Sequence, residues 1–124
     1  MNNSIRILWL DDIRNPFDPE IRWVHDTMGV EKFNPGDTIV WCKTFEAFVE
    51  EVQESMPDVI CFDHDLGDGK TGYDAAKWLV DYCLETGKLP PAFYSQSSNP
   101  AGRDNILGLL NNFKAFIRDE CKAN

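Results

Sequence analysis

The chain has 124 residues; 12 lysines and arginines stand against 21 aspartates and glutamates, for a formal charge of −9, with 43% apolar and 12% aromatic residues. A domain of this size buries about 65 to 70% of its unfolded surface, enough for a core without disulfide or metal staples, so one domain over residues 1–124 is expected. The acidic balance repels polyanions and argues against nonspecific binding of duplex nucleic acid, and a phosphate-bearing ligand would need a cation beside it.

No apolar run approaches the roughly 20 residues of a membrane span, and no secretory leader pattern occurs, so neither is expected. Cys42, Cys61, Cys83 and Cys121 have no CxxC spacing and fall mainly within apolar runs. They read as reduced core thiols of a cytoplasmic protein.

Along the chain, short apolar runs alternate with helical spacing. Ile5 to Leu10 is an apolar run ending in Asp11 and Asp12, the pattern of a buried strand that leads into a polar turn. Ile13 to Asp37 carries Pro16, Pro19, Pro35 and Gly36, which predicts irregular structure with one short helix between Glu20 and Met28. Thr38 to Lys43, β-branched and aromatic, predicts a second strand; Thr44 then caps a helix over 44–55 that stops before Pro57.

Val59 to Phe62 predicts a central parallel strand with Asp63 at its carboxyl end. The loop from Asp63 to Gly72 leads into a helix over 72–86, with Gly87 as its end cap. Ala92 to Ser95 is the fourth strand, and Ile106, Leu109, Leu110, Phe113 and Ile117 repeat at the helical period over 100–120. Trp9, Trp41 and Trp78 are assigned to the core, and Trp23 to the lining of the crevice, reached from the irregular segment.

Strands alternating with helices imply a twisted parallel sheet whose ligand crevice lies at the carboxyl ends of the strands. Three strand ends carry the unusual polar residues. Asp11, Asp12 and Asp63 converge there as metal ligands; their all-oxygen chemistry, without thiolate, suits Mg²⁺ or Mn²⁺. In the plainer alternative the acidic pair only starts a turn, and Asp65 and Asp68 are solvated.

His64, between two acids, suits general acid or base work if it reaches the crevice, and otherwise is a structural histidine. His25 has no comparable company. After the fourth strand, Ser95, Ser97, Ser98 and Arg103 are candidate hydrogen-bond donors to phosphate oxygens. Asn99 and Pro100 fit a helix start whose free amides favour an anion, although serine-rich turns also serve capping alone.

Leu10-Asp11-Asp12, Pro57-Asp58 through Asp63, and a hydroxyl residue after the fourth strand resemble the response-regulator receiver domain. Leu10 to Pro16, Phe62 to Gly67, Thr71 to Asp74 with Trp78-Leu79, and Ser97 to Ile106 resemble more specifically the cyclic-phosphate processing receiver domains. That resemblance covers nearly the whole chain and implies a metal held by the acidic pair and the third-strand Asp. It also implies action on cyclic phosphates or related linkages. Where that family often has His before the Ser-x-Asn-Pro step, this chain has Gln96, and after the last predicted helix no fifth strand supplies the receiver lysine. Lys43 and Lys70 are the residues that could substitute for it.

The expected fold is therefore a truncated receiver or flavodoxin-like three-layer α/β sandwich, with four parallel strands in the order 2-1-3-4. The expected function is a metal-dependent phosphoesterase acting on a small phosphorylated or cyclic-phosphate ligand. Asp63, His64 and Asp65 would be catalytic, Ser95, Ser97, Asn99 and Arg103 would bind substrate, and Asp11, Asp12 and Asp63 would hold the metal. The alternatives are a non-catalytic phosphoacceptor modified at Asp63 and a protein-binding signalling module of unspecified partner.

Overall fold

The computed structural model of the protein describes residues 5–12, 38–63, 66, 69–95 and 100–123. In chain order the elements are β1 (Arg6–Leu10), β2 (Thr38–Cys42), α1 (Phe45–Glu54), β3 (Val59–Phe62), α2 (Gly72–Thr86), β4 (Ala92–Ser95) and α3 (Pro100–Ala123). The strands form a four-stranded sheet in the order β2-β1-β3-β4, every pairing parallel. This is the order expected from the sequence, with β3, α2 and β4 at the expected bounds and the ends of the other elements within three residues of them. The short helix expected between Glu20 and Met28, and Trp23, lie outside the described residues.

Alternation along the strands divides their side chains between two clusters. Leu8, Leu10, Ile60 and Phe62 pack with Phe48, Leu79, Ile106 and Leu110, so α1, α2 and α3 all lie against one face. Ile7, Trp9 and Cys61 form the cluster on the other face. Burial on both faces explains why β1 and β3 read as unbroken apolar runs rather than alternating ones. Each large side chain so buried stabilises the fold by about 1.5–3 kcal/mol relative to exposure. No described helix is long and apolar enough to cross a membrane.

The helix ends follow from local hydrogen bonding. Thr44 is extended, and its hydroxyl oxygen accepts from the Ala47 amide at 3.1 Å, as expected of a cap. At the amino edge of the sheet, the Arg6 guanidinium donates to Glu51 at 2.6 Å and to the Ser55 carbonyl at 2.5 Å, which ties β1 to the end of α1. Gly87 closes α2 in the left-handed region at φ 72°, its amide donating to the Cys83 carbonyl at 2.9 Å. Only a residue without Cβ takes that conformation at no steric cost.

A reciprocal cap at the start of α2 was missed in the sequence, although Thr71-Gly72-Tyr73-Asp74 has the spacing of a capping box. The Asp74 carboxylate accepts from the Thr71 amide at 2.9 Å, while the Thr71 hydroxyl accepts from the Asp74 amide at 3.1 Å. The backbone bond from Thr71 is the main cause of an Asp74 acidity stronger than the ordinary 3.8. A carboxyl whose folded value is depressed contributes stability above its unfolded value and loses it as pH falls through the folded one. Asp74→Asn is therefore expected to lower stability at neutral pH and to flatten the loss of stability below pH 3.8, read by urea unfolding across the acid range.

Gly72, the first residue of α2, sits against the main chain of Asp63. A Cβ there would collide with the Asp63 carbonyl oxygen and lie 3.0 Å from Cδ1 of Ile106, so β3, α2 and α3 meet at this glycine. Gly72→Ala is expected to destabilise the fold by about 1–3 kcal/mol through overpacking. Gly108, with nothing within 4 Å of its would-be Cβ, is the control. In the interior of α3, Gly108→Ala should stabilise by about 0.5–1 kcal/mol, and urea midpoints of the two variants measure both effects.

Candidate functional site

The site grows out of the sheet register. Leu10 pairs with Phe62 at the carboxyl ends of the adjacent strands β1 and β3, and the next residues are Asp11 and Asp63. Main-chain bonds hold both: the Asp63 amide donates to the Leu10 carbonyl at 2.9 Å and the Asp11 amide to the Cys42 carbonyl at 3.1 Å. Asp11, Asp12 and Asp63 consequently offer one carboxylate oxygen each within 4.8 Å of one another. Asp11 is fully buried, and the other two are half-buried.

At an effective dielectric of about 20, unit charges about 4 Å apart interact with about 4 kcal/mol. Three carboxylates so close repel one another, and a cation among them relieves that repulsion. The donor set fits a hard divalent ion. Oxygens on opposite sides of Mg²⁺ are about 4.2 Å apart and those of Ca²⁺ about 5 Å, which brackets the observed span. Among the described residues the ligand group consists of carboxylates alone, an all-oxygen site; burial pushes the Cys42 and Cys61 thiols up to about 12.

Ser95 is buried at the end of β4, and its hydroxyl donates to the carbonyl of Phe62 at 3.0 Å. A hydroxyl has one hydrogen to donate, so a phosphate contact from Ser95 requires this bond to be exchanged. Arg103 lies in the first turns of α3, half-buried, with its Nε 3.8 Å from the exposed carboxylate of Asp104. Ser95 and Arg103 share a groove of about 530 Å³ between β4 and α3, which Asn111 and Lys114 extend. His64, Asp65, Gln96, Ser97, Ser98 and Asn99 lie outside the described residues. After Asp63 the chain folds back through the Leu66 amide, which donates to the Lys70 carbonyl at 3.0 Å.

The sequence reading assigned Trp41 to the core and missed its contact with the site. It is half-buried on β2, and its indole N–H donates to the Asp11 carbonyl at 2.7 Å. Across its ring lies Lys43, with Nζ 4.2 Å from the centroid. The general signal was present: a partly buried indole N–H needs an acceptor, and a strand ending beside an acidic turn supplies one.

An open parallel sheet with helices on its face and a cluster of acids at the carboxyl ends of β1 and β3 is the receiver fold. Residues 6–112 match the family model of the cyclic-phosphate processing receiver domain, and the chain belongs to that family. The structure is similar to a LuxR-family two-component response regulator from Aurantimonas sp. SI85-9A1, at 18% identity over 86% of this chain and 69% of that one, with a TM-score of 0.53. It is also similar to the N-terminal domain of an uncharacterized protein from Wolinella succinogenes, at 15% identity over 98% of this chain and 99% of that one, with a TM-score of 0.52. The response regulator PhyR from Brucella abortus aligns at 16% identity with a TM-score of 0.44, over 95% of this chain and 52% of that one, so the chain spans about half its length. No curated protein matches the chain.

Trp41→Phe keeps most of the ring and removes its donor. We expect a loss of about 1 kcal/mol, the net worth of one hydrogen bond, in urea unfolding, together with faster hydrogen exchange at the Asp11 amide.

Proposed function

We propose that the protein is a metal-dependent phosphoesterase acting on a small phosphorylated or cyclic-phosphate ligand, in one domain over residues 1–124. The observation that carries this reading is the approach of carboxylate oxygens from Asp11, Asp12 and Asp63 to within 4.8 Å. The description of the family as cyclic-phosphate processing supports it.

In this reading Asp11, Asp12 and Asp63 hold Mg²⁺ or Mn²⁺. Bound there, the ion would supply positive charge for phosphoryl oxygens and acidity for an attacking water. Arg103, Ser97, Asn99 and the first-turn amides of α3 steady the phosphate oxygens as charge develops, and Ser95 joins them when its bond to Phe62 is exchanged. His64 or Asp65, beside Asp63 in the chain, moves the proton. The buried free thiols of Cys42, Cys61 and Cys83 suit a cytoplasmic setting. The receiver fold and the position of Asp63 at the end of β3 favour a second reading, a phosphoacceptor or signalling module without turnover.

The two readings separate in one set of measurements. We expect a 2′,3′-cyclic nucleotide to be hydrolysed with added Mg²⁺ or Mn²⁺, and the activity to vanish on chelation. Removing even an outer partner of a metal ligand costs about 10–100-fold, so Asp63→Asn is expected to cost about a hundredfold or more. Metal at about 100 times its dissociation constant should stabilise the fold by about 2.7 kcal/mol, read as a rise in Tm. A stable beryllofluoride adduct at Asp63 with no turnover across a broad ester panel would favour the second reading. No metal uptake at millimolar concentration would overturn both.

A further inference from the structure

We propose that Lys43 is a second cation, besides Arg103, that this site offers to the phosphate group of its ligand, held in place on the face of Trp41; the proposal rests on the metal-dependent reading above and names a residue that reading does not use. The sheet register carries it. Leu10 pairs with Cys42 as the last residues of β1 and β2, and the Asp11 amide bonds to the Cys42 carbonyl. The next step along both strands sets Lys43 beside Asp11 at the carboxyl edge of the sheet.

The side chain of Lys43 adds to this placement. Its Nζ lies 4.2 Å from the centroid of the Trp41 ring, and the nitrogen of that ring donates to the Asp11 carbonyl at 2.7 Å. The ammonium thus stands one indole removed from the turn that bears Asp11 and Asp12. A cation on an exposed tryptophan face gains about 0.5–1 kcal/mol, enough to bias the long side chain toward one place. The ring face takes none of the three ammonium N–H donors by a strong bond, so they are available to anionic oxygens.

Arg103, bordering the groove on the β4 side, is the other cation assigned to the phosphate. Arg6 bonds Glu51 at the opposite edge of the sheet, Lys114 lies over Phe93, and Lys70 lies over Phe45. Among the described residues Lys43 makes no ion pair. A phosphate drawn toward three carboxylates meets their repulsion as well as the attraction of any metal, and a positive charge at the rim offsets that repulsion.

The position predicts effects of opposite sign on two ligands, which a purely structural lysine would not produce. Mn²⁺ binding and inorganic phosphate binding to the Mn²⁺-loaded protein are measured by calorimetry for wild type, Lys43→Met and Lys43→Arg, with circular dichroism as the check on folding. Lys43→Met removes a positive charge near the acids. We expect it to tighten Mn²⁺ binding and to weaken phosphate binding about tenfold, the scale of one charge-assisted contact. Lys43→Arg should keep both near wild type. Mn²⁺ uptake by wild type with both constants unchanged in Lys43→Met overturns this proposal alone. Weaker Mn²⁺ binding in a folded Lys43→Met does the same, since it marks a structural lysine. No Mn²⁺ uptake by wild type removes the parent reading and this proposal with it.

Discussion

Asp11, Asp12 and Asp63 repel one another, and the rest of the structure is arranged so that they cannot move apart. Their carboxylate oxygens come within 4.8 Å because β1 and β3 are adjacent and parallel, with Leu10 opposite Phe62. An antiparallel pairing, or a strand inserted between the two, would send the acids to opposite ends of the sheet or too far apart to share an ion. The unfavourable proximity is sustained by the apolar runs that precede it, since Leu8, Leu10, Ile60 and Phe62 are fully buried. Functional constellations are commonly held in this way, by rigid elements whose stability derives from elsewhere.

The supporting contacts grip the main chain of the acid-bearing turns. Trp41 holds the Asp11 carbonyl, the Ser95 hydroxyl holds the Phe62 carbonyl one residue before Asp63, and Gly72 lies against the Asp63 carbonyl. These three residues come from β2, β4 and the start of α2, the three described elements that surround the carboxyl ends of β1 and β3. Because Gly72 also approaches Ile106, a shift of the Asp63 backbone is felt at α2 and α3 together. In close-packed interiors a sub-ångström displacement at such a junction cannot be absorbed locally.

Chemical division of labour follows from where charges sit on the sheet. At the amino edge, Arg6 is paired with Glu51 and fastens β1 to α1. At the carboxyl edge the acids of β1 and β3 are flanked by Lys43 on the β2 side, while Arg103 reaches the groove on the β4 side. A protein with a formal charge of −9 thus keeps cations on both flanks of its most acidic spot.

Residue by residue, the sequence carried the element order, the parallel sheet and the identity of the acids. A buried parallel strand must be apolar along its whole length and must end where polarity begins, as Leu10-Asp11-Asp12 and Phe62-Asp63 show. Thr44 and Gly87 announced helix ends because capping depends on a residue's own hydrogen bonds and φ. The capping box at Thr71 escaped notice because Asp stands where Glu or Gln usually signals it.

Tertiary structure alone decided what crosses between strands: the indole of Trp41 on Asp11, the hydroxyl of Ser95 on Phe62, and Lys43 in register with the acidic turn. Such contacts join residues about 30 positions apart in the chain. Periodicity reports which face a residue takes, whereas only the pairing of strands determines which neighbour it meets there.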